Sequence, residues 1–459
     1  MDAFSAGLLE LAEACHATAA NELPPQVRQR AVRVISDDVG AILSAAGEPE
    51  IEAALAAATK RDGRPEASVY LTGLPRLTFE DAIYLNSLAG CWCELDEGYR
   101  PVTCHAGLYT LPALLAEAER WELSVDDVVR CLVLSYEICA RIAECFRFAT
   151  PKVHAHALFA PIGAMAATLL ARRAPALTLA QGIATAATLA SIGPRVHLAR
   201  GYLSRNLWSA TGAVAGWQAA GMVEIGIHAG QEAPLDVFGD LLGGAGRTEA
   251  LTEGLREDWA ICKGYHKLYA CCQHGHSAVE AALACATDPA FEVNKVGDIE
   301  VQSHPLALGL SNPRPQTILG AKFSMEHMVA AALRYEEGGQ TAFSSASLDD
   351  PVVARLRERV QLRPISPPKD PRFDRASRVI VHLEDGVALD QTCLVSTGSP
   401  DRPVSEAAFA DKLRKAGGDT LPGLAGFAEA GGAGIGQLAW RAVVEEMRRP
   451  PTQAAASEA

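Results

Sequence analysis

Several signatures that would settle a function quickly are missing from this chain. Neither GxGxxG nor GxxxxGK[ST] occurs, and the cluster Gly243-Gly244-Ala245-Gly246 has no strand-like stretch before it, so nucleotide cofactors are not expected. The Gly-x-Ser-x-Gly elbow of many serine hydrolases is absent too. No apolar run reaches the roughly 18–20 residues of a membrane span, and no repeat of solenoid period appears. Positive charge is in short supply: 41 Lys and Arg stand against 55 Asp and Glu, a formal net charge of −14. That balance argues against a nucleic-acid surface, which needs a clustered basic face. An anionic substrate would have to be gripped by individual Arg, Lys and His residues against the overall field. No signal peptide is apparent, since MDAFSAGLLELAEACHA reads as an amphipathic helix with acidic residues. The twelve cysteines are then expected to be reduced thiols of a cytoplasmic enzyme.

What the chain does have is helix. Its 459 residues exceed one ordinary core, so two domains are expected, and 49% apolar residues are ample to fill them. Val27, Ala31, Val34, Ile35, Val39 and Ile42 recur on one helical face, with Gly47 as the expected C-cap. Helical patterns follow over 51–58, 79–91, 111–121, 125–145, 162–171, 180–191 and 207–223. Past about residue 260 the character changes. DIEVQS (298–303) and RVIVHL (378–383) alternate as strands do, the second leading through Glu384-Asp385-Gly386 into a hairpin with 387–389. PISPPKDPR (364–372) reads as a proline-rich surface connection. Helical patterning returns from Ser405 and is expected to dock back on the first domain. The expected fold is mainly α: a large all-helical domain of residues 1–262 plus 403–459, and a smaller inserted α+β lid domain of residues 263–402. The tail from Arg449 to Ala459 has no periodicity and is expected to fray.

Reactive side chains concentrate in 259–283, WAICKGYHKLYACCQHGHSAVEAAL, where Lys267, Tyr269, Cys271, Cys272, His274 and His276 lead into a helical repeat. Cationic groups beside a helix N-terminus suit a small anionic substrate, because unpaired N–H groups and the helix dipole favour negative charge there. The plainer alternative is a zinc knot or a buried thiol cluster, although the adjacent Cys271 and Cys272 do not match the C-x₂₋₄-C spacing of a tetrahedral site. A second cluster spans Asn86 to Gly107, where acids precede a loop holding Cys104 and His105. Zinc on Cys91, Cys93, Cys104 and His105 is conceivable there, but on a helix Cys91 and Cys93 would point about 200° apart. His154 and His156 sit just before an apolar helix, placed for proton transfer or for structural hydrogen bonding. Arg205 and His327, judged alone, read as a solvated surface arginine and a satisfied core histidine.

Taken in order, these clusters resemble the MmgE/PrpD superfamily, which includes 2-methylcitrate dehydratase, cis-aconitate decarboxylase and iminodisuccinate epimerase. The likeness runs from about Asp38 to Pro403. Its markers are Asp38-Val-Gly-Ala-Ile-Leu, Asn86 with the acidic run and His105-Ala-Gly, Tyr136-Glu137 with Arg141-Ile, His154 nine residues before Gly163, Lys267-Leu-Tyr-Ala-Cys-Cys, and Phe323-Ser-Met. The resemblance implies a homodimer with its active site in a cleft between the two domains, a small di- or tricarboxylate substrate, and neither metal nor organic cofactor. The shared hard step is removal of a proton next to a carboxylate, for which His105, His154 and Lys267 match the family's working positions. Lys267 could act as a base only if burial or a neighbouring cation lowered its pKa.

Departures from the family pattern bear on the reaction. Glu94 stands for the family aspartate, Gly98 for its threonine, Arg205 for its mid-chain lysine, His327 for a substrate-side tyrosine, and Cys272 for a histidine. Loss of the threonine hydroxyl speaks against dehydration and decarboxylation, whereas epimerisation needs only one base on each face of a carbon. The expected activity is therefore a cofactor-independent epimerase of a small amino-dicarboxylate of the iminodisuccinate kind. Lys267 and His105 would be its catalytic pair, with Arg205, His154, His327, Glu94, Tyr269, Cys272 and His276 about the substrate. A lyase is the alternative; a catalytically dead homologue acting as a binding protein is another.

Overall fold

The structure, a computed structural model, describes residues 2–148 and 151–449, so the tail beyond Arg449 lies outside the described residues. Ten helices form the N-terminal part: α1 (Ala3–Ala17), α2 (Pro25–Leu43), α3 (Pro49–Thr59), α4 (Phe79–Gly90), α5 (Ala106–Arg120), α6 (Val125–Cys145), α7 (Ala155–Ala171), α8 (Ala176–Thr188), the single turn α9 (Val196–Ala199) and α10 (Ser204–Glu224). The apolar repeat of α2 ends earlier than expected, at Leu43 with Ser44 as C-cap. Gly47 instead supplies the left-handed residue (φ 89°) of the turn that follows.

At the centre lies α7, packed by α5, α6, α8 and α10. Every one of its residues is buried, as its sequence AHALFAPIGAMAATLLA requires, since a helix apolar on all faces must be enclosed. Small residues set how closely its neighbours approach. A Cβ on Gly163 would lie 2.7 Å from Tyr109 Cβ of α5, and one on Gly216 of α10 would strike the Pro161 carbonyl. Pro161 within α7 frees the carbonyl of Ala157, four residues back. The Ser191 N–H, 2.9 Å away, takes that acceptor and so ties the start of α7 to the 190s loop.

The second half holds a four-stranded sheet in the order Ala388–Cys393, Ser377–Leu383, Val296–Ser303, Val360–Pro364. The expected hairpin is present and antiparallel, pairing Leu389 with Val381. The fourth strand, parallel to Val296–Ser303, begins before the proline-rich run and was not anticipated. α11 (His276–Ala286) covers the hairpin strands on one face and packs on the helix Met325–Tyr335. The C-terminal helices Glu406–Gly417 and Leu424–Ala430 return to α2, and Trp440–Met447 returns to α5 and α6. There the indole N–H of Trp440 donates to the Tyr70 hydroxyl at 2.9 Å. The fold is mainly α with one small sheet-containing region, and no helix of the described residues is long and apolar enough to cross a membrane.

Candidate active site

Two stretches far apart in the chain are joined by a short antiparallel ladder, in which Gly98 pairs with Tyr265 and Tyr99 with Gly264. This ladder brings the acidic loop after α4 against the Lys267 segment. A Cβ at Gly98 would meet the Tyr265 side chain around its hydroxyl, which would have to move aside. The hydroxyl that a threonine at position 98 would supply is thereby replaced in space by a phenol, which burial keeps protonated.

The loop turns sharply at Glu94, a non-glycine residue at φ 54°. A left-handed glutamate is strained and persists where its surroundings fix it. Here both oxygens are held: Arg205 Nη2 is 2.6 Å from Oε1, and Lys267 Nζ donates to Oε2 at 3.0 Å. Lys267 also donates to Asp96 Oδ1 at 3.1 Å. The other oxygen of Asp96 lies 2.6 Å from His105 Nδ1. A single carboxylate thus anchors an ammonium and an imidazole contributed by residues 162 positions apart.

The tautomers follow from the partners. His105 Nδ1 faces the Glu97 carbonyl at 3.0 Å, an acceptor, so this nitrogen carries a proton, and in the neutral ring the lone pair is on Nε2. No hydrogen bond among the described residues occupies Nε2. His154 is the N-cap of α7, its Nδ1 accepting from the His156 N–H at 3.1 Å. Its Nε2 is therefore the protonated one, a neutral donor. Burial, with Arg205 next, keeps the His154 pKa well below the usual histidine value. Behind both rings His156 bonds the Tyr109 hydroxyl at 2.8 Å and lies outside the cavity wall.

Charge is settled by the same contacts. Burial opposes ionisation of Glu94 and Asp96, yet Arg205 and Lys267 for the first, and Lys267 and His105 for the second, hold both carboxyls below their ordinary values. Burial also opposes the Lys267 charge, and Asp96 and Glu94 outweigh it, raising its pKa well above the lysine norm. Lys267 is consequently a proton donor at rest, and the lowered pKa that a base at this position would need is not what its neighbours produce. Burial, then Glu94, push up the Cys272 thiol.

A cavity of about 980 Å³, its open mouth included, is bounded by Glu94, His105, His154, Arg205, Lys267 and Cys272 together. Four helix N-termini meet around it: His105 caps α5, His154 caps α7, Arg205 opens α10, and Cys272 shortly precedes α11. Their dipoles favour anions. The Arg205 Nε–H is buried without a partner and available to an acceptor.

Three residues expected about the substrate are not on this wall. His327 Nε2–H donates to the Ala342 carbonyl at 3.1 Å and the Ser347 hydroxyl at 3.2 Å, while its Nδ1 accepts from Arg357 at 3.2 Å. With both nitrogens engaged it is a satisfied core histidine. His276 Nε2 faces the Cys271 carbonyl at 3.2 Å, and Tyr269 packs edge-on against the His276 ring. Glu94 lines the cavity, its Oε2 accepting from Lys267 and its Oε1 in ion-pair contact with Arg205, so it orients cations.

Sequence reading missed three groups, Asp96, Arg195 and Arg375, and named His274 only among the reactive side chains of 259–283. Asp96 was visible in the acidic run, two residues from Glu94, although its double role was not. Arg195, Arg375 and His274 complete the wall, and no carboxylate among the described residues pairs directly with either arginine. Burial, then Arg100, lower the Arg375 pKa to about 10, leaving it charged at neutral pH. His274 keeps an unpartnered Nδ1. Among the described residues no group of three His, Cys, Asp or Glu is placed to hold a metal ion.

Comparison with known families gives two matches: a MmgE/PrpD N-terminal domain over residues 9–240 and a MmgE/PrpD C-terminal domain over residues 269–424. No curated protein matches the chain.

Proposed function

Given that the chain belongs to the MmgE/PrpD family of dehydratases, decarboxylases and epimerases, we propose that it is a cofactor-independent epimerase of a small amino-dicarboxylate. The observation that carries this reading is Asp96, which binds His105 and Lys267 at once and so holds a base and an acid beside one cavity. In the proposed reaction His105 Nε2 removes the proton on the carbon next to a carboxylate. Its Nδ1–H, directed at Asp96 and the Glu97 carbonyl, spreads the positive charge that results. The developing enolate is met by Arg205 Nε–H and His154 Nε2–H, donors fixed before substrate arrives. Arg195 and Arg375 hold the second carboxylate. The Lys267 ammonium returns a proton to the opposite face, and in the reverse direction the two groups exchange roles.

One observation favours a second reading, a lyase. Lys267 is held charged and the Tyr265 hydroxyl fills the space above Gly98, so an acid stands ready to protonate a departing hydroxyl. Proton NMR in heavy water with imino- and hydroxy-dicarboxylates separates the readings. Deuterium at the α-carbon with loss of optical activity and no new olefinic signal is expected; an unsaturated product assigns the lyase. Absence of exchange across the panel overturns both. Lys267→Ala is expected to retain exchange through His105 while epimerisation falls about 10²-fold or more. A homodimer is part of the same reading, and a monomeric mass in sedimentation overturns that part.

A further inference from the structure

The acidic loop is tied by two sets of contacts. Glu94 and Asp96 accept from Lys267, as described. A second set, from residues that do not line the cavity, reaches the residue between them. The Leu95 carbonyl accepts at 2.9 Å from Nζ of Lys412, on the helix Glu406–Gly417. A buried main-chain carbonyl needs a donor, and an ammonium brought in to supply one needs a counter-charge of its own. Asp37 of α2 provides it, with Oδ1 lying 2.5 Å from the same Nζ. The Lys412 side chain is 9% exposed and that of Asp37 0%, so this pair is little screened by water and salt.

The other oxygen of Asp37 engages the Lys267 segment, with His266 Nδ1 2.6 Å from Oδ2. Burial, then Arg30, lower the His266 pKa to about 4, so the ring is neutral at pH 7 and its Nδ1–H donates. Phe409, on the same helix as Lys412, packs its ring 5.1 Å from that of His266. A single carboxylate therefore reaches both sides of the contact between Lys267 and its acids: His266 precedes Lys267, and Leu95 separates Glu94 from Asp96. The far end of the loop is anchored separately, by the Glu97 N–H donating to Asp38 at 3.0 Å. His105 leans on that end through the Glu97 carbonyl. The Lys267 ammonium, among the described residues, has only Glu94 and Asp96. Slack at Leu95 would then disturb the lysine more than the imidazole.

Resting on the reading above in which Lys267 returns the proton, we infer that Lys412 is a positioning residue which, with Asp37 and His266, sets Lys267 against Glu94 and Asp96 from outside the cavity. It acts through the Leu95 main chain and takes no part in proton transfer itself. Displacement of a reacting group by about 1 Å can cost about 10²-fold in rate, so a tie of this kind is expected to be felt in catalysis.

Lys412→Met removes the donor and keeps the length of the side chain, and two measurements on the full chain read its effect. In heavy water, with the imino- and hydroxy-dicarboxylates, the ratio of epimerisation to α-proton exchange is expected to fall about 10-fold or more. A ratio is insensitive to any unfolded fraction of the sample. Amide hydrogen–deuterium exchange followed by mass spectrometry needs no substrate. Peptides covering 92–97 are expected to exchange faster in the variant while those of α6 are unchanged. A ratio within about twofold of the parent overturns the inference even if the loop loosens, as does a loop whose amide exchange is unaltered. Should Lys412→Met fail to fold, the double variant Asp37→Asn, Lys412→Met leaves neither charge buried without its partner and serves for both measurements. The two ideas fail separately. A parent that does not epimerise removes the reaction, and the loop amides then decide on Lys412 by themselves; a parent that epimerises, with a variant of unchanged ratio, removes Lys412 and leaves the reaction standing.

Discussion

Glu94 lines the cavity with Asp96 beside it, whereas Glu97 of the same loop meets Asp38 of α2 away from the cavity wall, and these two pairs of carboxyls are pushed in opposite directions. All four are buried. The front pair is held below its ordinary values, since Arg205 and Lys267 overcome desolvation. The rear pair has no such compensation. Glu97 accepts from the Gly107 N–H at 2.9 Å and the Tyr136 hydroxyl at 3.1 Å, and Asp38 accepts from the Glu97 N–H at 3.0 Å. Burial carries the Glu97 pKa to about 8, with Arg30 and these hydrogen bonds only partly offsetting it and Asp37 adding to the rise. Burial and the neighbouring Glu97 raise Asp38 as well. Gly107 is what allows them together, as a Cβ there would meet both side chains. Burial alone therefore does not fix the charge of an acid; the cations within reach do. Asp37 repeats the lesson beside Asp38, held below its ordinary value by Lys412 and His266 against burial.

The largest expected effect comes from making the front pair resemble the rear. Asp96→Asn removes the charge that would stabilise a His105 imidazolium and that steadies Lys267. A loss of about 10³–10⁴-fold in kcat for α-proton exchange is expected, by analogy with the loss of a triad aspartate, with KM changing far less. A loss confined to KM would show that Asp96 only helps to bind substrate. His105→Gln, tested by the same exchange assay, is expected to cost about 10²–10⁴-fold, the usual value of a general base.

The rear pair makes a different prediction, in stability. Glu97 has its folded pKa raised, to about 8 from 4.5. The folded state therefore binds the extra proton between those values, and stability falls as pH rises through that window. The contribution is fully present below pH 4.5 and lost by about pH 8. Glu97→Gln cannot titrate, so a series of urea melts from pH 5 to 8.5 is expected to show a flatter profile for the variant than for the parent. Parallel profiles would place the proton elsewhere. Turnover of the variant at pH 6 is expected to stay within an order of magnitude of the parent, because it is the Glu97 main-chain carbonyl that holds His105.

Most of the helices were legible because their apolar residues recur at the helical period over long runs, as in α6, Val125–Cys145. The strand Val360–Pro364 was not, since it is short, half-exposed and runs straight into prolines. His105, His154 and Lys267 were singled out through the family resemblance of the motifs around them, and all three line the cavity. His327 was misplaced for a physical reason: a histidine that reads a cavity and one that is hydrogen-bonded in a core sit on the same buried helical stripe. Arg195 and Arg375 carry no local pattern at all. Only the fold reveals that neither has a direct carboxylate partner among the described residues.

Cys272 gives the smallest predicted effect and the sharpest check on the front pair. It lines the cavity between Lys267 and α11, where a thiol could serve as an acid or base in place of the lysine. Burial and the charge of Glu94 raise its pKa, so thiolate is scarce at neutral pH. Cys272→Ser keeps the size and a weak donor, and exchange at pH 7 is expected to change by less than about threefold, since no buried packing or charge is lost. If instead Cys272→Ser abolished return of the proton while Lys267→Ala did not, the second face of the substrate would belong to the thiol. The two carboxylates in front would then serve to hold Lys267 and Arg205 as fixed cations for the substrate and take no part in proton transfer through the lysine.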